Sequence, residues 1–498
     1  MATRTSSSDT TQSGAPAATR HLFIDGSWSP AASGRTFPVL DPYTRETYAH
    51  VAAGGREDAD RAIAAAAAAF EPWAALPPAA KQKLFQRAAE VVERRRDETA
   101  AALIAETGCS DGFAGHMQDG VQMNLHHAAA WAYEPRGEVL QSNYPGTYST
   151  AIRRPLGVVA SITPWNGGSI LPWRSVLSPL AAGNTVVIKP SEESPVTAGL
   201  LVAEALEEAG FPPGVVNVVP HAPGEAGPIA DAFFESDAVR CINFIGSVAT
   251  GRMLAERAGR TLKRSVMELG GFNPLLVLDD ADVDYAALVA ALSAFFHQGQ
   301  ICLNVRKALV ARSIYEPFVE RLLEHTRGLP VGDPRDPKTL VGPLINERAL
   351  ETALERIREA TDAGARILTG GGHEGLVLEP TVLVDVPDHV TVAREETFAP
   401  LLVVRAVEDD EEALAIANAP LYGLTAAVVA GDRYRGFEVA GRLRAGSVHV
   451  NTSTLNDELH APVGGVRDSG WGRSGPQSVD DFSDVVWLTV EGGRRPIW

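Results

Sequence analysis

The sequence predicts an α/β fold built on a parallel sheet, and three observations predict it. From residue 158 onward, apolar runs of strand length alternate with helix-length stretches. Gly, Pro and Asp punctuate the junctions between them. The chain is also long and apolar enough to bury a sizeable core, with 498 residues of which 45% are hydrophobic. Strand, helix, strand alternation at this spacing argues for parallel sheets rather than hairpins.

Leu22 to Trp28 reads as a strand with an Asp25-Gly26 turn. Glu57 and Asp58 open an alanine-dense helix to Phe70, with its acids in the first turn where they suit the helix dipole. A second long helix is expected from Ala79 to Glu106, stopping at Gly108. His126 and His127 are adjacent, so they cannot share a helix face as metal ligands, and no metal site is expected. Arg136 to Arg154 reads as an extended hairpin leaving the body of its domain.

Strands follow at Val158–Ile162, Thr185–Ile188, Val215–Val219 and Cys241–Ile245. Between the second and third lies a helix with Ser194 as N-cap and Pro195 at N1, ending at Gly210. This is the pattern of a Rossmann-like, dinucleotide-binding sheet. Gly470 to Gly475 fits G-x-G-x-x-G, but no apolar strand precedes it and Pro476 follows, so it is rejected as a fingerprint. Gly246 to Gly251 is the better phosphate turn, because it joins a strand to a helix start. Beyond it come strands at Pro274–Leu278, Leu401–Arg405, Ala426–Val429, Ser447–Val450 and Val485–Val490. Helices are expected from Ala286 toward Cys302, at Tyr315–Glu324 and at Glu347–Ala363.

Composition excludes several functions. The net charge of −18 argues against a nucleic-acid partner, which would need surplus Lys and Arg. No apolar window approaches the ~20 residues that span a bilayer. Cys109, Cys241 and Cys302 are too few and scattered for a disulfide framework, which fits a reducing compartment. Residues 1–20 lack an apolar core and read as a disordered tail, so a cytoplasmic location is expected.

One stretch carries chemistry on its own terms. Glu268 precedes Gly270-Gly271, and 34 positions later Cys302 sits on a polar turn after an apolar run. A lone cysteine in such a place is more often a small buried hydrophobe. A thiol is nevertheless the best ordinary nucleophile at neutral pH, and a carboxylate can activate water, so the pair suggests covalent catalysis through a thioester.

From about His21 to Trp487 the chain resembles the aldehyde dehydrogenase superfamily. Seven motifs in order carry the resemblance: Thr163-Pro164-Trp165-Asn166, Lys189-Pro190-Ser191-Glu192, Gly246 to Gly251, Glu268-Leu269-Gly270-Gly271, Gly299-Gln300-Ile301-Cys302, Glu395 to Pro400, and Pro462-Val463-Gly464-Gly465. The resemblance implies Cys302 as nucleophile, Asn166 as oxyanion donor and Glu268 as the base that hydrolyses the thioester. That base favours a free acid over coenzyme A transfer. The rivals are a coenzyme A-acylating enzyme and a non-catalytic paralogue.

The resemblance further implies a cofactor site at Ile162, Thr163, Trp165, Lys189, Ser191, Glu192, Gly246, Ser247, Gly251, Leu269, Glu396 and Phe398. A carboxylate at Glu192 prefers two free ribose hydroxyls, so NAD is expected, with NADP left open by Ser191. Substrate contacts are implied at Gly167, Arg174, Ile301, Leu303 and Val463. Arg174, and the tail from Asn456 to Trp487, resemble the branch acting on salicylaldehyde and vanillin, so an aromatic aldehyde is expected; a broad-specificity or aliphatic enzyme is the alternative. Arg174 either meets the substrate ring or forms a structural salt bridge. Gly167-Gly168, Phe272, Ala399 and Val463 depart from the commoner family residues and put specificity, rather than chemistry, in doubt.

The expected division is a tail at 1–20 and a cofactor domain of 21–135 and 155–267. A catalytic domain of 268–475 follows, with an oligomerisation element of 136–154 and 476–498 giving a homodimer or homotetramer.

Overall fold

The computed structural model describes residues 19–134, 137–458 and 460–494. Two seven-stranded sheets dominate it. The first runs, in spatial order, Arg264–Leu269, Val239–Gly246, Val158–Ile162, Thr185–Lys189, Val216–Val218, Leu22–Ile24 and Ser27–Ser29. Its first five strands are parallel, and the last two form a hairpin turned at Asp25-Gly26, both at positive φ (53° and 69°). Strand order reverses between Val239–Gly246 and Val158–Ile162. In an open α/β sheet a ligand crevice forms at such a switch point, outside the carboxyl ends of the strands.

The second sheet runs Arg366–Thr369, Thr381–Val384, Leu401–Val407, Val305–Ala311, Asn273–Val277, Thr425–Val429 and Ser447–Val450, parallel except at its first strand. Central strands of both sheets are buried on both faces and are rich in Val, Ile and Leu, the composition that helices on both sides require. A third, antiparallel sheet joins Ser483–Glu491 to the hairpin of Thr147–Pro155 and Gly137–Leu140 within the one chain. Arg136 and residues 495–498 lie outside the described residues.

Several expectations need correction. The long helix from Ala79 is two helices, Pro78–Arg94 and Arg96–Thr107, separated at Arg95 (φ −98°, ψ 15°). The Arg95 guanidinium there bonds Glu98 at 2.9 Å and also reaches Glu204, an attachment no periodicity reveals. The helix after Glu193 is not capped by Ser194, whose hydroxyl has no partner. Glu106, from a distant helix, accepts instead from the amides of Val196 (2.9 Å) and Thr197 (2.7 Å), and the first turn is π-helical. The tail's last residues, Thr19–Arg20, pair with Thr47–Ala52; residues 1–18 lie outside the described residues. Strand Arg264–Leu269 carries the first sheet through Glu268 to Leu269, two residues past 267.

Among the described residues no helix is long and apolar enough to cross a membrane, and no cluster of metal-ligating side chains occurs.

Candidate active site

Helix Val283–Phe295 ends short of Cys302. After it, His297, Gln298 and Gly299 all take positive φ (51°, 53° and 68°), turning the chain ahead of Cys302. A side chain at Gly299 would strike the Ala399 carbonyl, so glycine is required there. The turn is then pinned from several directions. Asn273 Nδ2 donates to the carbonyls of Cys302 (2.7 Å) and Asn304 (2.9 Å). Asn304 Oδ1 accepts from the Ile301 amide at 2.7 Å, and Arg306 donates to the carbonyls of Ile301 (3.1 Å) and Ala399 (3.2 Å). Gln300 Oε1 accepts from the Ile345 amide at 3.0 Å.

Glu268 comes from the edge strand of the first sheet, Cys302 from the turn before a strand of the second, and Asn166 from the loop after Val158–Ile162. All three line one cavity of ≈ 430 Å³ between the sheets. Asn166 Nδ2 gives one hydrogen to the Gln300 carbonyl at 3.0 Å, which ties that loop to the cysteine turn and leaves its second N–H available.

Burial dominates the electrostatics. It pushes the Cys302 thiol up to about 12, helped by the carboxylates of Glu396, Glu268 and Asp457 and opposed by Arg174. It raises Glu268 to about 7, with Arg174 pulling the other way, and Glu396 also to about 7, opposed by Arg306. The thiol therefore rests protonated beside two carboxyl groups able to hold or release a proton near neutrality. Cys109 and Cys241 are fully buried, with thiols pushed up by burial to about 12 and higher still.

Five expected substrate residues, Gly167, Arg174, Ile301, Leu303 and Val463, all line this cavity. Of the expected cofactor residues, Trp165, Gly246, Ser247, Leu269, Glu396 and Phe398 line it too. Ile162 and Lys189 stand opposite each other at strand ends nearby, with Thr163 donating to the Lys189 carbonyl at 3.1 Å. Ser191 and Glu192 follow on the next loop, outside the cavity. Gly251, on the buried face of helix Val248–Arg260, packs against Leu269, where a Cβ would clash, so glycine there lets the helix approach the strand. The edge of Phe398 meets Trp165 at 5.6 Å, and Glu396 packs on Gly270 with the Gly271 amide donating to it at 3.3 Å.

A profile of the aldehyde dehydrogenase family matches residues 28–488. The chain belongs to the aldehyde dehydrogenase family. A vanillin dehydrogenase of a Pseudomonas species is 42% identical over 478 residues, 95% of this chain and 98% of the relative. A salicylaldehyde dehydrogenase from Pseudomonas putida, solved with salicylaldehyde, superposes at a TM-score of 0.94 with 35% identity, covering 97% of this chain and 100% of that one. A betaine aldehyde dehydrogenase from Staphylococcus aureus in complex with NAD+ gives 0.92 at 30% identity, covering 96% of each chain. As an aldehyde dehydrogenase the chain oxidises aldehydes with NAD(P).

Other parts of this aldehyde dehydrogenase site escape sequence reading. Phe113 and Met117, four apart on helix Asp111–Trp131, line the cavity with Ile170, Leu171, Phe296 and Leu455. Their i, i+4 spacing marks a buried face but not which cavity it meets. Asp457 pairs with Arg174 at 2.6 Å, the side chains only 20% and 10% exposed. Asn273, Asn304 and Arg306 carried no signal beyond being polar residues in apolar surroundings.

Proposed function

We propose that this enzyme oxidises an aromatic aldehyde bearing a polar ring substituent to its free carboxylic acid, through a thioester on Cys302. The observation that carries the reading is the Arg174–Asp457 pair, set in the wall of the cavity that holds Cys302, together with the apolar side chains of Phe113, Met117, Ile170, Leu171, Phe296, Leu303 and Leu455. Apolar walls with a guanidinium among them suit a flat ring carrying a hydroxyl or methoxy group, because guanidinium both stacks on rings and donates hydrogen bonds. The vanillin and salicylaldehyde dehydrogenases among the relatives support the same class.

Cys302 gives its proton to a neighbouring carboxylate and its sulfur adds to the aldehyde carbon. The free N–H of Asn166 and the backbone amide of Cys302 receive the developing oxyanion; removing one such donor costs ~10²–10³ in rate. The dinucleotide, when bound, supplies the acceptor for hydride. Glu268 then takes a proton from water, which attacks the thioester and releases the acid.

A dinucleotide suits the residues present. Gly246 leaves the strand-to-helix turn without a Cβ at the cavity wall, and Ser247 caps helix Val248–Arg260, whose first amides favour a phosphate. Lys189 and Glu192 would hold the adenosine ribose, and Glu396 the nicotinamide ribose. NAD is the preferred form in this reading, since Glu192 repels a 2′-phosphate.

The third sheet would join copies into a dimer or a dimer of dimers. Val139, Tyr148 and Val490 are exposed on one face of it and Val485 and Trp487 on the other, and exposed apolar side chains of this kind mark an interface. Unpaired thiols at all three cysteines fit the cytoplasm.

Following NADH or NADPH with hydroxylated, methoxylated and unsubstituted benzaldehydes against aliphatic aldehydes tests the reading. Higher kcat/KM for the substituted aromatics supports it, and an aliphatic preference rejects it. Acceleration by added coenzyme A would reject the free acid as product.

A further inference from the structure

Lys189 and Glu192 have a third neighbour that the sequence motifs do not include. His221 is fully buried in the loop after strand Val216–Val218. Its Nε2 lies 2.6 Å from Lys189 Nζ, and its Nδ1 lies 2.9 Å from the Ala222 carbonyl. A carbonyl only accepts and an ammonium only donates. Nδ1 therefore carries the hydrogen and Nε2 offers its lone pair, so the two partners together require one neutral tautomer. Lys189 Nζ also donates to the Pro190 carbonyl at 3.2 Å, which leaves its third N–H for a ligand. Glu192 Oε2 stands 3.7 Å from the same Nε2.

We propose that His221 sets the choice between the two dinucleotides: uncharged, it aims Lys189 and leaves Glu192 free to accept from two ribose hydroxyls, and on taking up a proton it neutralises Glu192 and admits a 2′-phosphate. The proposal rests on the reading that Lys189 and Glu192 hold the adenosine ribose. Protonated Nε2 has no lone pair for Lys189, so the ammonium is released toward the phosphate, while the new N–H faces the Glu192 carboxylate. The first change adds an attraction for the dianion and the second removes the carboxylate's repulsion.

The charges around the ring oppose protonation in the absence of such a ligand. Lys189 faces it from the strand and Glu192 from the following loop. Glu225 faces it from beyond Ala222, but is itself tied to Arg35 at 2.7 Å. Burial, then Lys189, hold the imidazole down to about 4, and burial brings Lys189 down to about 8. A proton on His221 therefore has to arrive with the phosphate. Binding of NADP takes up a proton, and binding of NAD does not.

Isothermal titration of the enzyme with each dinucleotide, without aldehyde, reads this directly in buffers of different ionisation enthalpy. Between pH 6.5 and 7.5, where Lys189 stays mostly charged, the Kd for NADP is expected to rise by up to ~10-fold per pH unit, with uptake approaching one proton, while the Kd for NAD stays level. His221→Gln keeps an acceptor for Lys189 but cannot charge; it should retain NAD affinity and abolish the uptake that accompanies NADP. His221→Phe should weaken NAD as well. Proton-free binding of NADP by the unmodified enzyme, failure to bind it even at pH 6, or uptake that survives in His221→Gln would each overturn the proposal. Lys189→Ala separates the two levels: if it leaves both Kd values unchanged, the ribose reading itself fails.

Discussion

The side-chain amide of Asn273 donates to the Cys302 carbonyl at 2.7 Å, and five residues before it in the chain stands Glu268. One short segment thus carries the proposed base at one end and holds the proposed nucleophile's turn at the other. Its Oδ1 also accepts from the Thr425 amide at 3.3 Å, so Asn273 is braced on the second sheet. Removing it leaves buried carbonyls unpaired, each worth about 1–3 kcal/mol. Asn273→Ala should lower stability by that order in chemical denaturation and reduce kcat more than it raises KM, because the turn loosens rather than the pocket. Unchanged stability would mean that the turn is held by Asn304 and Arg306 alone.

Cys302 and Glu268 should separate in rapid kinetics. Cys302→Ala should form no reduced dinucleotide in a single turnover. Glu268→Gln should still produce a burst of about one equivalent per site and then turn over ~10²–10⁴-fold more slowly, since only general-base hydrolysis is lost. A burst in the first variant, or none in the second, would contradict this division of roles.

The pH dependence follows from burial. Glu268, raised to about 7, is mostly neutral below that value and becomes a base above it. Steady-state turnover should therefore climb through pH 7 and level off. Glu396 titrates near about 7 too, so the limb should vanish in Glu268→Gln only if Glu268 is responsible. The Cys302 thiol, pushed up to about 12, should react with iodoacetamide slowly at neutral pH and faster at every step toward pH 9.

Arg174 and Asp457 form a nearly buried pair at 2.6 Å. Removing one partner strands the other's charge, a loss of about 3–5 kcal/mol, whereas removing both costs much less. Arg174→Met and Asp457→Asn should each destabilise more than the double variant. Arg174→Met should also raise KM for hydroxylated benzaldehydes more than for aliphatic aldehydes. Equal effects on both classes would leave the pair with a structural role only.

Trp487 is 71% exposed on the third sheet. Trp487→Glu should shift the enzyme to a smaller species in light scattering if that face joins copies. An unchanged mass would place the interface elsewhere.

Motifs and local periodicity made much of this molecule legible in advance. Val158–Ile162 is where its largely apolar run puts it, because a strand buried on both faces favours apolar residues, with Ser161 satisfied by the Ser175 carbonyl. The family was legible through the motifs around Glu268, Asn166 and Cys302, three side chains that the fold brings to one cavity. The break at Arg95 was not, since a distant carboxylate at Glu204 competes there with helical preference. Nor was the cap at Val196, where Glu106 takes the place that Ser194 holds by sequence rule. Arg174 shows the division most plainly. Its position in the chain brings it to the pocket, but only folding brings Asp457 against it and makes it half of an ion pair. Residue type and spacing act over a few residues and decide what a segment can become. Partner choice is settled by burial, when groups far apart in sequence must satisfy one another's charges and hydrogen bonds away from water.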